Sequence, residues 1–144
     1  TLTGLFEARV VCLSAAEERV LQTAAIFASP FWDGAVQQLA AEEHGINPGQ
    51  VAESLSALEQ KGLIVRQRSS TLTGVLEYQF VHDLLWRVID ASIPPVMRRK
   101  GQDRLLSWLD NKTTGLQVSY FRELNAYVRL MGGNHPSDGD GGHE

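Results

Sequence analysis

His82 is the residue of this chain whose type and position best suit chemistry. It stands where an alternating segment, Leu76 to Val81, hands over to an apolar-periodic one that begins at Asp83. The start of a helix offers unpaired amides and the positive end of a dipole, and both attract an anion. An imidazole at that point can donate a ring N–H to a phosphate oxygen. Asp83 can cap the same helix. Position alone also allows a purely structural role for this histidine, so the neighbouring candidates matter.

Two groups of cations could contact an anion or DNA. Arg66 and Arg68 fall on the predicted hairpin. Charges there also serve to keep an edge strand from pairing with another chain. Arg98, Arg99, Lys100 and Arg104 form a cluster that could take an acidic partner or a phosphate, and that equally fits a solvated helix face. No nucleophile–base set accompanies them. Cys12 has no local histidine, and His44, His135 and His143 have no acidic or cysteine partner at motif spacing. Neither GxxxxGK[ST] nor GxGxxG occurs, so a nucleotide would not be held by a phosphate loop of this chain. Asp138, Asp140 and His143 make only a weak metal cluster. The expectation is a stretch that is not an enzyme by itself, with no catalytic residue, no metal and no cofactor of its own.

The elements that must position these residues follow from local signals. Ser14-Ala15-Ala16-Glu17 is a capping box, in which the hydroxyl and the carboxylate each satisfy the other residue's amide. The helix behind it carries Val20, Leu21, Ala24, Ala25 and Ala28 as one stripe and stops by Pro30. A second helix fits Asp33 to Glu43, closed by His44-Gly45. A third starts with Asn47 as cap and Pro48 in its first turn, buries Val51, Leu55 and Leu58, and ends at Gly62. Leu63-Ile64-Val65 and Leu76–Val81 read as the two strands of a hairpin, with Leu76, Tyr78 and Phe80 on its apolar face. A fourth helix spans about His82 to Ser92, a fifth runs from Pro94-Pro95 through Asp110, and a sixth fits Val118 to Met131. Phe31-Trp32, Trp86 and Trp108 read as core aromatics.

Three helices followed by a hairpin is the winged-helix order. The predicted fold is mainly α with a small antiparallel β-hairpin: a winged helix-turn-helix over 1–93, a helical extension over 94–131 and a mobile tail over 132–144. Hydrophobic residues make up 43% of the 144, which is enough for a core. No apolar run is long enough to span a membrane, and the one cysteine fits a reducing, cytoplasmic setting. The net charge of −4 is uneven. Residues 1–62 hold only Arg9, Arg19 and Lys61 against eight carboxylates. The third helix, where a DNA-binding winged helix reads bases, holds Glu53 and Glu59 and no arginine. Phosphate neutralisation supplies much of any affinity for DNA, so this half of the chain is poorly suited to it.

Four stretches together resemble a known family. They are Leu13-Ser14-Ala15-Ala16-Glu17-Glu18-Arg19-Val20-Leu21-Gln22, then Ala25-Ile26-Phe27-Ala28, the run Phe31-Trp32-Asp33-Gly34-Ala35-Val36, and Tyr78-Gln79-Phe80-Val81-His82-Asp83-Leu84-Leu85. Their order over about residues 2–110 is similar to the winged-helix segment of signal-transduction ATPases with numerous domains. Val81-His82-Asp83 is similar to the Met-His-Asp motif of related apoptotic and plant immune ATPases, with valine in place of methionine. The resemblance implies a regulatory module that packs on an AAA-type ATPase core and precedes helical repeats. It implies that His82 senses the phosphate of a bound nucleotide, with ATP or ADP held by that other domain. The alternative is a DNA-binding winged-helix regulator using Arg66, Arg68 and the Arg98–Arg104 cluster.

Overall fold

The computed structural model describes residues 1–27 and 30–112. Its centre is built by helices whose starts are written locally. Ser14 Oγ accepts from the Glu17 amide at 3.1 Å, and Glu17 Oε1 accepts from the Ser14 amide at 3.1 Å, opening α2 (Ala15–Ala25). α3 (Asp33–His44) follows and ends on Gly45, which takes the left-handed conformation at φ 65°. Asn47 and Gln50 form a second capping box for α4 (Pro48–Gln60). Each of these three helices turns one apolar side inward. Val20, Leu21, Ala24, Ala35, Val36, Leu39, Val51, Leu55 and Leu58 are all buried. Each large aliphatic side chain buried in this way contributes about 1.5–3 kcal/mol.

Gly62 adopts φ 75°, a conformation costly to any residue with a Cβ, and reverses the chain out of α4. β2 (Ile64–Arg66) then pairs antiparallel with β3 (Glu77–Phe80), with Val65 opposite Gln79. The predicted hairpin gains a third strand. β1 (Phe31–Trp32) lies on the other side of β3, with Phe31 opposite Tyr78 and Trp32 opposite Glu77, so the sheet order is β1-β3-β2. A helix, a short strand, a helix-turn-helix and a hairpin in this order make a winged helix-turn-helix. One detail of the strand reading is corrected. Glu77, read as solvent-facing, is 7% exposed, and Leu76, read as inward, is 43% exposed. The reason lies in the wing: Asp33 donates its amide to the Leu76 carbonyl at 3.0 Å, and Asp33 Oδ1 accepts from the Leu76 amide at 2.9 Å. That pairing clamps Leu76, the residue before β3, to the head of α3 and turns its side chain out.

Three further helices frame this unit. α1 (Leu2–Val11), for which the sequence offered no signal, is capped by Thr1 and packs against α5 (Asp83–Ala91) through Phe6. α6 (Pro95–Lys112) lies on α3, stacking Trp108 on Trp32 at 6.1 Å between centroids. Close approach there depends on Gly34, where a Cβ would stand 2.8 Å from Val75 and 3.2 Å from Trp108. Leu85, Ile89, Leu105 and Leu109 join the same core as α2–α4. Trp108 is buried, while Trp86 is half-buried and donates its ring N–H to the Ala25 carbonyl at 2.8 Å. Ala28, the helix predicted for 118–131 and the tail at 132–144 lie outside the described residues. Among the described residues no helix is long and apolar enough to cross a membrane.

Candidate functional site

His82 is the N-cap of α5. Its backbone is extended, at φ −154° and ψ 143°, and its own ring caps the helix: Nδ1 accepts from the Leu84 amide at 3.0 Å. The sequence reading assigned capping to Asp83 and left the amides for an anion. The structure corrects this. Asp83 is the first residue of the helix, and one of the first-turn amides is already taken by the imidazole. An accepting Nδ1 must be unprotonated, so the ring holds its N–H at Nε2. The ring is exposed at the surface and leans on Phe6 of α1 at 5.8 Å, tilted by 46°. A fixed, outward imidazole with a defined donor atom is suited to one hydrogen bond to an acceptor supplied from outside.

The face that would read DNA is acidic. Gln50, Ala52, Glu53, Ser56, Glu59 and Gln60 are the exposed side chains of α4 after its capped start, and none is cationic. Arg66 and Arg68 are exposed at the base of the wing. The hydroxyl of Tyr78 registers their setting: its pKa is raised, first by burial and then by the carboxylates of Asp33 and Glu59, with Arg66 acting the other way.

The second cationic cluster is largely paired within the fold. Arg98 donates to the carbonyl of Asp90 at 2.8 Å and meets its buried carboxylate at 3.1 Å, bridging the turn between α5 and α6. Arg104 reaches across to Glu42 at 3.4 Å and to Glu43, tying α6 to the end of α3. Arg99 and Lys100 remain exposed. The four cations read as one patch thus divide, two serving the packing of α6 and two facing solvent.

Sequence reasoning missed Glu77. Its Oε1 accepts from Trp32 Nε1 at 3.2 Å, from the Thr71 amide at 2.9 Å and from the Thr71 hydroxyl at 2.8 Å. Three donors converge on one buried carboxylate, the arrangement in which a buried charge is tolerated. It ties the wing loop back to β1, and Leu72 beside it is buried. The wing loop is consequently tied to the body at Thr71 and Leu72, while Thr73 and Gly74 stay exposed. The only signal for this in the sequence was a carboxylate directly between the apolar residues Leu76 and Tyr78. Among the described residues no group of histidine, cysteine and carboxylate side chains could hold a metal. Asp138, Asp140 and His143 lie outside them.

No family model matches this chain, and no curated protein matches it. Among solved structures, a zinc-responsive MarR family member from Lactococcus lactis, ZitR, is similar over 83% of this chain and 76% of its own, at 18% identity and a TM-score of 0.40.

Proposed function

We propose that this chain is a regulatory winged-helix module that docks on another protein domain, a nucleotide-binding ATPase core, and reads the phosphate of its nucleotide through His82. The observation that carries the reading is the capped imidazole: surface-exposed, oriented by the Leu84 amide and left with its N–H at Nε2. The acidic exposed side of α4 supports a protein partner over nucleic acid, because carboxylates facing phosphates oppose binding. Nucleotide exchange would then bias a two-state arrangement of the module and the core. Catalysis belongs to that core. In the native gene product His82→Ala is expected to lower retained ADP by about tenfold, the loss of one charge-assisted hydrogen bond. Unchanged nucleotide content after purification would contradict the sensing role.

A DNA-binding regulator is the second reading. It is favoured by the helix-turn-helix of α3 and α4 with the exposed Arg66 and Arg68 on the adjoining wing. In that case Arg66→Ala and Arg68→Ala would each weaken duplex binding and flatten its salt dependence.

A further inference from the structure

We propose that the groove between α1 and the junction of α4 with β2 seats an acidic amphipathic helix of a partner protein. This surface lies apart from the His82 ring and does not depend on the sensing role. Its floor and walls are Leu5, Ala8, Cys12 and Leu13 on one side and Leu63 on the other, enclosing about 430 Å³. α1 buries only Phe6, on the side that meets α5, and Leu5 is left 50% exposed. The helix therefore has a second apolar side with nothing described upon it. The residues of this helix that line the groove, Leu5 to its C-cap Cys12, make a wall about 10 Å long, two helical turns. An open trough of that length between a helix and a strand suits a helix laid in a groove through residues spaced i, i+3, i+4 and i+7.

Charge selects the partner. Residues 1–62 contain three cations, and two of them, Arg9 and Lys61, line this groove from opposite walls. Among the described residues no carboxylate lines it, and the neighbouring one, Glu17, is held by Lys61. Lys61 donates to Glu17 at 2.7 Å, which leaves two of its three N–H donors for a partner. Arg9 has no carboxylate partner among the described residues. In a half-chain otherwise dominated by carboxylates, an apolar trough rimmed by cations is complementary to apolar residues flanked by glutamate or aspartate.

The test uses the full chain and a synthetic helix of about 14 residues, with leucine on one face and glutamate on its flanks. Its lysine-flanked counterpart and dodecanoate serve as comparisons. Binding is read from the amide resonances of Ala8, Cys12 and Leu63 and from the rate at which a disulfide reagent modifies Cys12. The glutamate helix is expected to shift those amides and slow the modification, with the lysine helix weaker by about tenfold. Arg9→Glu should reduce or reverse that preference, and Leu5→Asp should abolish binding of both helices without loss of helical circular dichroism. Equal binding of the two helices, no binding of the glutamate helix, or tighter binding of dodecanoate at the same amides would overturn the proposal.

Discussion

Replacing His82 by alanine removes a cap and a ring contact together, so its structural and sensing roles must be separated by a second substitution. Loss of an N-cap costs about 1 kcal/mol. His82→Ala should lower the urea midpoint accordingly, whereas His82→Asn keeps a capping oxygen and should recover most of that stability. If His82→Asn is as unstable as His82→Ala, capping is not what the ring contributes. His44 gives a prediction of opposite character. Its pKa is lowered from 6.5, first by burial and then by the neighbouring Arg19 charge, whose guanidinium lies 3.3 Å from Nδ1. The unfolded chain then binds more protons than the folded one between the depressed value and 6.5. Stability from this site is full above that range and declines as pH falls through it. The urea midpoint should fall from about pH 7.5 to 5 in the parent protein and fall less in His44→Gln. Identical pH profiles would contradict that. Both residues show the limit of local reading. Position marked His82 as a helix head, but which ring nitrogen is occupied depends on the backbone at Leu84. His44 was read as closing the second helix, and it ends α3, but the Arg19 beside it is a neighbour only in space.

At the scale of elements, the wing is governed by one carboxylate. Glu77→Ala removes the acceptor that Trp32 Nε1 and the two Thr71 donors share. Leaving a buried neutral donor without its acceptor costs about 1–3 kcal/mol. The expected result is a large drop in thermal midpoint, with amide exchange faster at Thr71 and Leu72 than in the helices. Uniformly faster exchange would place the effect in the global fold and not in the wing. The elements that were legible in the sequence are those whose ends are encoded within four residues: α2 by Ser14 and Glu17, α4 by Asn47, Pro48 and Gly62. β1 was not legible because two residues carry no alternation, and Phe31 and Trp32 are both buried. α1 was not legible because its apolar residues lie on both sides of the helix, one toward α5 and one toward the groove. The pairing of Arg98 with Asp90 was hidden by the Pro94-Pro95 break, which the fold turns into a bridge between α5 and α6.

For the molecule as a whole, the order of three helices and a hairpin was readable, β1 and α1 were not, and the use of its surfaces was readable only in its charge. Three cations against eight carboxylates in residues 1–62 already opposed a nucleic-acid face. The fold sharpens this by leaving Glu53 and Glu59 exposed on α4, by drawing the wing onto the body through Thr71, and by pairing Arg98 and Arg104 internally. Among the described residues the surface offers an oriented imidazole and an apolar trough at α1, beside the exposed cations Arg66, Arg68, Arg99 and Lys100. The most direct measurement is a fluorescence-anisotropy titration of a mixed-sequence DNA duplex with this chain at about 50 mM salt, where non-specific binding is strongest. No saturation up to about 100 µM protein is expected, since non-specific binders reach about 1–100 µM even at physiological salt. Micromolar binding that weakens steeply as salt rises would contradict a protein-docking winged helix and establish the DNA reading in its place.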